Sequence, residues 1–454
     1  MFRLLLTIFL SISSALLGDC QDVFVEYQSI FTHGANDFKS FVIEGETYLA
    51  VAHFTNNNSE EISSSIYHWQ NDEFQLFQEI LTAGASDWEF FEIDGVPYLA
   101  VANYEDDESN YVNSVIYRWS GTQFNYFQNI PTVGAYDWEF FEIEETPYLV
   151  VANQTNGESN NINSVIYQWD GSYFQEYQSI PQNGATDWES FILNGENYLA
   201  VANVADFITR IYKWNGIAFE PFQNLLFTLA TTGVESFVIN DRQYLAMSSG
   251  TGTEDYNSIS KIFVWQETAF VEFQNIETRG AFDWEYFSMN SENYLVIANY
   301  KAAEGVFTHE SEIFKWNGSE FESFQTILTY GAVDWEYCEI EEERYLMVAE
   351  YKNDNGDHNI NSRIFRFDGN SNVFVSNLEE KSAINIYPNP VKNTVNIIIT
   401  DDSIIENVSV FNLEGKNILN SKSREIEVDN LASGGYLIQV TTNKTTVIKS
   451  ILRE

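Results

Sequence analysis

The chain has 454 residues, of which 44% are hydrophobic and 16% aromatic, so it has ample material for a large buried core. Its formal net charge of -45 argues against nucleic acids and anionic membranes as partners. With only two cysteines, Cys20 and Cys338, the chain is not a disulfide scaffold, and its stability must come from core burial.

The N-terminal residues 1–21 have the pattern of a secretory signal. Arg3 supplies a positive start, and an apolar run follows from Leu4 to Leu17. That run is too short to span a bilayer, and no later segment is long and apolar enough to do so. We therefore expect an exported protein without a transmembrane segment.

Three short phrases recur at intervals of about 50 residues through most of the chain, which indicates one supersecondary unit repeated seven times. Tyr-Leu-Ala-Val-Ala, intact or slightly altered, starts at Tyr48, Tyr98, Tyr148, Tyr198, Tyr244, Tyr294 and Tyr345. Ile-Tyr/Phe-x-Trp/Phe ends at Trp69, Trp119, Trp169, Trp214, Trp265, Trp316 and Phe367. Gly-Ala-x-Asp-Trp/Phe opens at Gly34, Gly84, Gly134, Gly184, Gly280 and Gly331.

Each unit predicts four short antiparallel strands, A (Asp-Trp-Glu-x-Phe), B (Tyr-Leu-Ala-Val-Ala), C (Ile-Tyr-x-Trp) and D (Phe-x-x-Phe-Gln-x-Ile/Leu). The apolar runs are short, rich in β-branched and aromatic residues, and joined by turns such as Asp94-Gly95 and Asn194-Gly195. Seven four-stranded blades predict an all-β chain with a seven-bladed β-propeller over residues 22–367. Because a D phrase precedes the first A phrase, we expect residues 24–30 to supply the outer strand of blade seven.

These phrases resemble the epilepsy-associated repeat, also called the EPTP repeat, over residues 24–367. The resemblance rests on Phe-x-x-Phe-Gln-x-Ile, Gly-Ala-x-Asp-Trp-Glu-x-Phe, Tyr-Leu-Ala-Val-Ala-Asn and Ile-Tyr-x-Trp-Asn-Gly. It implies a seven-bladed propeller that serves extracellular protein binding without enzymatic residues. Blade five departs from the pattern, with Thr232-Gly-Val-Glu-Ser-Phe237 in place of the Ala-x-Asp-Trp phrase, and blade four has a short B–C loop.

The chain after the repeats predicts a linker over residues 368–381 and a small β-sandwich over residues 382–454. This module resembles the type A sorting domain of the type IX secretion system of Bacteroidetes. The resemblance carries over to a short set of motif residues, Tyr387, Pro388, Asn389, Pro390, Gly415, Gly434 and Tyr436. It implies contact with the type IX machinery, passage across the outer membrane, and a final location in the medium or on the cell surface.

The sequence offers no catalytic motif. It has no Gly-x-Ser-x-Gly elbow, no His-Glu-x-x-His and no phosphate loop, and its five histidines are scattered. We therefore expect no enzymatic activity. Carboxylates are nonetheless so abundant that spacing does not exclude a glycosidase-like pair.

The topology of a propeller suggests a candidate binding face instead. The Asp at the start of A and the polar residue at the end of B are expected to converge near the axis. The residues are Asp37, Asp87, Asp137, Asp187, Asp283 and Asp334 from A, and Asn103, Asn153, Asn203, Asn299 and Glu350 from B. The favoured alternative is architectural: an Asp after a Gly-Ala turn accepts backbone N–H bonds and locks that turn.

Acidic B–C loops open on the same face. Their oxygen ligands are compatible with Ca²⁺, and the candidate ligands are Asp106, Asp107, Glu108, Asp354 and Asp357. No other cofactor is expected.

These observations favour a secreted or cell-surface binding or adhesion protein whose propeller face recognises an extracellular protein or glycan. Two alternatives stay open at this point: a polysaccharide-active enzyme with carboxylates in the central channel, and a structural component of the surface or matrix. Fold alone does not decide among them.

Overall fold

The computed structural model describes residues 23–250, 256–369, 384–387, 391–399, 404–412, 416–432, 434–442 and 446–453. The predicted signal segment and nearly all of the predicted linker lie outside these ranges. One compact unit ends at Gly369, and a second contains the C-terminal strands. Within the described ranges, no helix has the length and apolar character needed to cross a membrane.

Seven four-stranded antiparallel sheets make up the first unit, one for each sequence repeat. Blades one to three contain β2 Ala35–Ile43, β3 Glu46–His53, β4 Glu61–Gln70, β5 Glu73–Ala83; β6 Ala85–Ile93, β7 Val96–Asn103, β8 Asn113–Trp119, β9 Phe124–Pro131; β10 Ala135–Ile143, β11 Thr146–Asn153, β12 Asn163–Trp169, β13 Phe174–Pro181. Blades four to six contain β14 Ala185–Leu193, β15 Glu196–Asn203, β16 Ile208–Trp214, β17 Phe219–Leu226; β18 Thr231–Ile239, β19 Arg242–Ser249, β20 Asn257–Gln266, β21 Ala269–Arg279; β22 Ala281–Met289, β23 Glu292–Asn299, β24 Thr308–Trp316, β25 Phe321–Tyr330. The predicted seven-bladed propeller is confirmed, and blade five is complete despite its altered sequence.

Blade seven combines the two ends of the repeat array. It contains β26 Ala332–Ile340, β27 Glu343–Glu350 and β28 Asn359–Asp368, and its outer strand is β1 Val23–His33. The pairing of β1 with β28 runs from Val23 opposite Asp368 to His33 opposite Asn359. The D phrase at the start of the chain therefore closes the ring, as its position in the sequence predicts.

The blades pack through their buried B strands, whose small and branched side chains let neighbouring sheets approach closely. Leu49 to Ala52 in blade one and Leu99 to Ala102 in blade two are fully buried. The hydrophobic clusters each combine side chains of adjacent blades: Phe91 and Tyr98 of blade two, for example, pack with Trp138 of blade three. The aromatic phrases therefore supply inter-blade packing.

A belt of glutamines links the D strands further from the axis. The side chain of Gln78 both donates to the carbonyl of Phe124 at 2.8 Å and accepts from its N–H at 3.0 Å. The same paired bonds join Gln28 to Phe74, Gln128 to Phe174, Gln178 to Phe219, Gln223 to Phe270, Gln274 to Phe321 and Gln325 to Phe24. The last pair shows that β1 is fastened to blade six like any other outer strand.

The C-terminal unit has two sheets around a small aliphatic core. One contains β29 Ile384–Tyr387, β30 Thr394–Ile399 and β33 Glu425–Glu427, and the other contains β31 Ile405–Asn412, β32 Asn417–Ser421, β34 Gly434–Thr442 and β35 Thr446–Arg453. Val395, Val408 and Ile438 lie between them. Among the motif residues, Gly434 and Tyr436 lie on β34 and Tyr387 ends β29, whereas Pro388, Asn389, Pro390 and Gly415 are outside the described residues.

Candidate functional site

The inner strands of the blades surround a central channel of about 190 Å³ that carries two rings of carboxylates. The first ring contains the predicted residues Asp37, Asp87, Asp137, Asp187, Asp283 and Asp334. The second ring lies two residues further along each strand and contains Glu89, Glu139, Glu189, Glu235, Glu285 and Glu336. Because side chains alternate along a strand, residues two apart share one side, so five of the six Asp residues are followed by a Glu with the same orientation.

Five of the six Asp residues of the first ring make their main contact with the following blade. Asp137 Oδ2 accepts the backbone N–H of Trp188 at 2.8 Å. Equivalent bonds run from Trp88 to Asp37, Trp138 to Asp87, Val234 to Asp187 and Phe38 to Asp334, at 2.5–2.9 Å. For these five carboxylates, the interpretation that they lock their own Gly-Ala turns is wrong, because the donors belong to the next blade.

The glutamates of the second ring repeat this arrangement one step along the channel. Glu336 Oε1 accepts both the N–H of Ser40 at 2.9 Å and its hydroxyl at 2.6 Å. The others bind the N–H of Phe140, Ser190, Ser236, Tyr286 and Tyr337 at 3.0–3.3 Å. Most carboxylates of the channel thus join one blade to the next.

Blade five has Gly233 at the position of the first-ring Asp, and the absence of a side chain there leaves space for Asp283 of blade six. A Cβ on Gly233 would lie 2.4 Å from Asp283 Oδ1 of blade six. Asp283 therefore turns back toward blade five and accepts the N–H of its neighbour Trp284. In the regular blades the Asp of the preceding blade binds this N–H, so Asp283 replaces the carboxylate that blade five lacks.

Blade one interrupts the second ring with Lys39, whose Nζ lies 2.7 Å from Glu89 Oε2. Burial by itself lowers the pKa of this ammonium, but attraction to Glu89 and Glu336 outweighs burial and the pKa is raised well above its usual value. Among the channel-lining residues, Lys39 is the one cation. It offsets part of the negative charge at the point where both ring neighbours are glutamates.

Burial raises the pKa of most channel carboxyl groups. The pKa of Asp187 rises to about 7, mainly because of burial, and that of Glu189 rises to about 8 for the same reason. The pKa of Asp334 also rises to about 7, through burial and then repulsion from Glu336. The channel therefore holds several protons near neutral pH, which limits the cost of gathering so many acids.

An aromatic cluster, which we call the aromatic mouth, lies at the end of the channel where the B–C loops open. Tyr136 of blade three and Phe282 of blade six meet with ring centroids 6.2 Å apart. Around them are Phe54, Tyr104, Tyr300 and Tyr351, each in ring contact with another member of the cluster. The sequence analysis missed this cluster, although its signal was the variable residue between Ala and Asp in the A phrase.

The polar residues that end the B strands do not reach the channel. Asn103 accepts the N–H of Ala83, at the end of the outer strand of blade one, at 3.1 Å and donates to the carbonyl of Asn113 in its own blade at 2.8 Å. Asn153, Asn203 and Asn299 bond in the same way. Glu350 is fully buried and binds Arg363. The prediction that these residues converge with the Asp ring is wrong, because they turn away from the axis.

The acidic loop residues link one loop to the next. Asp107 accepts the hydroxyl of Ser59 at 2.9 Å and the N–H of Glu60 at 2.8 Å, which lowers the pKa of Asp107. Asp354 accepts the N–H of Phe307 at 2.6 Å and that of Thr308 at 2.7 Å, and Asp357 accepts the amide of Asn57 at 2.8 Å.

The two remaining candidates for Ca²⁺ differ from these three. Asp106 accepts N–H groups within its own loop, from Glu108 at 2.9 Å and Ser109 at 2.7 Å, and the Glu108 side chain is exposed. In the part of the chain that the structure describes, no group of three or more His, Cys, Asp or Glu side chains could hold a metal ion.

Comparison with known protein families finds the EPTP domain seven times, at residues 23–70, 73–120, 123–170, 174–215, 218–266, 269–317 and 320–368. These segments include every blade and well over half of the chain. The chain belongs to the EPTP domain family. Residues 385–454 match the secretion system C-terminal sorting domain, so the EPTP propeller here is part of a secreted or cell-surface protein.

Two curated proteins are also similar to this chain. They are the human and the mouse thrombospondin-type laminin G domain and EAR repeat-containing proteins, each 35% identical over 143 residues. The matched region is 31% of this chain and 21% of each relative. The similarity therefore leaves most of this chain and most of each relative unmatched.

The hydrogen bond between Asp137 and blade four allows us to predict how much stability the EPTP propeller loses when one such inter-blade bond is removed. Replacing Asp137 with Ala leaves the Trp188 N–H without its acceptor and should lower the free energy of unfolding by about 1 kcal/mol. Replacing Asp137 with Asn keeps an acceptor and should cost less. Urea denaturation of both variants measures the difference in the free energy of unfolding. Equal decreases for the Ala and Asn variants would contradict the role of Asp137 as an inter-blade hydrogen-bond acceptor.

Proposed function

We propose that this protein is an exported binding protein that recognises an extracellular protein or glycan through the B–C loop face of its propeller. The observation that carries the proposal is a hydrogen-bonded chain of loops over an otherwise repetitive scaffold. Binding residues are concentrated on loops that a rigid scaffold holds in position, since rigidity lowers the entropy lost on association.

Neighbouring loops contact each other around much of this face. The Asn57 amide donates to Asp357 and the Ser59 hydroxyl donates to Asp107, and these bonds join blades seven, one and two. The amide of Asn156 donates to the Tyr111 hydroxyl at 3.1 Å and extends the series to blade three. The Tyr256 hydroxyl donates to Glu304 at 2.6 Å, and Asp354 binds Phe307 and Thr308, so blades five to seven are joined as well. This linkage supports a surface that is largely organised before a partner arrives.

The loops also present apolar side chains to solvent. Tyr111 is 64% exposed and Phe207 is 45% exposed. Phe207 has a φ of 58°, in the left-handed region that a side chain with a Cβ rarely occupies. Strain of this kind tends to be retained at functional sites, and exposed aromatic residues are common anchors of interfaces.

The channel gives weaker support to the enzymatic alternative. The aromatic mouth lies between the loop face and the carboxylates, and most of those carboxylates already bind backbone N–H groups. A hydrolase needs one acid and one base that reach the substrate, and neither ring favours a particular pair. We therefore place recognition on the loops and leave the channel a structural role.

The test uses the mature chain, immobilised and exposed to a panel of purified polysaccharides and extracellular proteins, in Ca²⁺ and again in EDTA. A partner that the native chain retains should bind at least tenfold more weakly to a variant with Tyr111→Ala and Phe207→Ala. Ile217→Ala is the matched control, because Ile217 is 76% exposed in the C–D turn of blade four, on the opposite face.

Each outcome of this test has a clear meaning. Loss only in the loop variant supports the proposal, and sensitivity to EDTA would add a cation to it. Equal loss in the Ile217→Ala control would contradict the loop face as the site. Release of reducing sugar from a polysaccharide would contradict the non-enzymatic proposal, and self-association without any retained partner would favour a structural component.

A further inference from the structure

Four of the blade interfaces share one aromatic pair at the A–B turn end of the inner strands. In each pair an aromatic ring of one blade stacks on a Phe of the blade before it, with nearly parallel planes. The pairs are Phe41 with Phe90 at 4.5 Å, Phe91 with Phe140 at 4.7 Å, Phe237 with Tyr286 at 4.6 Å and Phe287 with Tyr337 at 4.6 Å. This is the third inter-blade layer, after the Asp and Glu rings.

Two adjacent interfaces, between blades three and four and between blades four and five, keep the Phe of the preceding blade but lack the aromatic ring that would stack on it. Ser190 of blade four stands where the stacking ring on Phe141 would be, and Ser236 of blade five stands where the ring on Phe191 would be. The interface between blades seven and one also has a serine, Ser40, but its partner there is Cys338, so it has no ring to stack on.

The missing rings leave an open groove, which we call the serine groove. It has a volume of about 660 Å³ and is lined by Phe141, Phe191, Ile192, Ser190, Ser236 and Val238, among others. Ile192 is 67% exposed and Val238 is 53% exposed, so the rim of the groove is apolar. The groove lies at the A–B turns, which are on the opposite face of the propeller from the B–C loops.

We propose that the serine groove docks a segment of a partner protein that presents two aromatic side chains flanked by basic residues. This inference rests on the proposed function in one respect, namely that the exported chain is a binding protein. It adds a second site, on the other face, and a chemical class of ligand.

The repeats themselves indicate the occupant. At the four regular interfaces a Phe or Tyr ring fills the position that is empty here, stacked about 4.6 Å from the Phe below it. An aromatic side chain from a partner would reproduce that contact, and stacked aromatic pairs contribute beyond the area that they bury. Because the two empty positions belong to successive blades, one short segment could fill both.

Polar contacts and charge favour a peptide over a sugar. The N–H groups of Ser190 and Ser236 already donate to Glu139 and Glu189, and both hydroxyls interact with the same carboxylates. Few directing groups therefore remain for sugar hydroxyls. Exposed Glu142 lines the groove, and the adjoining A–B turn contributes Glu144 and Glu145. This charge complements basic residues beside the aromatic anchors.

The experiment measures binding of the peptide acetyl-Lys-Phe-Gly-Phe-Lys-amide to the mature chain by isothermal titration calorimetry. The reference peptide has Ala in place of both Phe residues. We expect the variant with Ser190→Phe and Ser236→Phe to bind the aromatic peptide at least tenfold more weakly while its Tm stays equal or rises. Those substitutions supply the rings that other blades already hold, so the fold has room for them.

Ser288→Phe is the matched control, because Ser288 is exposed on the inner strand of blade six and does not line the groove. This control should bind the peptide like the native chain. Equal binding of the Phe and Ala peptides, or unchanged binding by the filled variant, would overturn the proposal. So would binding of cellohexaose that the filled variant loses, since that result would assign the groove to a glycan.

The same variants separate this inference from the proposed function. A partner retained by the loop face should still bind the variant with both serines filled, and should be lost only from the Tyr111 and Phe207 variant. If the peptide fails while loop-face binding holds, only the groove assignment is wrong. If the peptide binds but no loop-face partner is retained, only the loop face is wrong.

Discussion

Replacing Arg363 with Val is expected to destabilise the propeller by about 3–5 kcal/mol. Arg363 Nη2 and Nε lie 2.6 Å and 2.9 Å from the two carboxylate oxygens of Glu350. Glu350 has no solvent exposure. Removing the guanidinium would leave this carboxylate buried and unpaired, and a buried charge without a partner is costly.

The corresponding residues of other repeats suggest a second substitution that should restore the stability of this variant. Glu350 occupies the position that Asn103 and Asn153 fill in blades two and three, where Val115 and Val165 stand in place of Arg363. The double variant with Glu350→Asn and Arg363→Val should therefore regain most of the lost stability, since Asn can accept the Tyr330 N–H that Glu350 accepts at 2.8 Å. Guanidinium denaturation measures both variants. An equal loss in the single and double variants would contradict the buried-pair explanation.

Replacing Glu189 with Gln is expected to stabilise the propeller at pH 8 by about 2–3 kcal/mol and to leave it nearly unchanged at pH 5. The pKa of Glu189 is raised to about 8 by burial. A carboxyl group with a raised folded pKa stabilises the native state fully at low pH, and that contribution is lost as the pH rises through the folded value. At roughly 1.4 kcal/mol per pKa unit, and after a discount for partial exposure to the channel, Glu189 alone has an effect of this size.

Gln is the matched replacement because its carbonyl can still accept the Ser236 N–H without ever becoming charged. Thermal unfolding of both proteins between pH 4 and pH 9 measures the difference between them. The native chain should lose stability steadily above about pH 6, and the Gln variant less steeply. Parallel curves would mean that Glu189 titrates normally and that the channel does not hold this proton.

Two histidines have the opposite effect on stability and make the native state less stable as the pH falls. Burial lowers the pKa of His53 and of His358 to about 4. A histidine with a lowered folded pKa contributes stability above its ordinary value of 6.5, and this contribution is lost as the pH falls toward 4. Together with the channel carboxyls, these residues place the stability maximum between about pH 5 and pH 6.5.

The blade plan was predictable from sequence because each strand is specified locally, by period-two patterning and by turns such as Asp94-Gly95. Ring closure was predictable too, since an extra D phrase precedes the first A phrase. The second carboxylate ring was also within reach: alternation along a strand requires Glu139 to share the orientation of Asp137. The same alternation places Lys39 on the side of Asp37.

The partners of these carboxylates were not predictable in the same way. Asp137 binds an N–H that lies 51 residues ahead in the chain, and nothing near either residue in sequence marks the contact. The turn-locking interpretation failed because it considered only local donors. The prediction for the B-strand ends failed for a related reason: the Asn103 side chain accepts the N–H of Ala83 from blade one and donates to Asn113 in its own blade, so it is satisfied away from the axis.

The pairing of β1 with β28 also sets the order of events when the chain is made. His33 bonds to Asn359, 326 residues later, so the first strand of the propeller must wait for the last strand of the repeat array. At roughly 5–20 residues per second, that wait is on the order of 15–65 s. Throughout it the ring is open and β1 lacks the strand that it pairs with, so the nascent chain cannot reach its closed form early. For a protein that must leave the cell, delayed closure keeps the chain in a form that can still be threaded across a membrane.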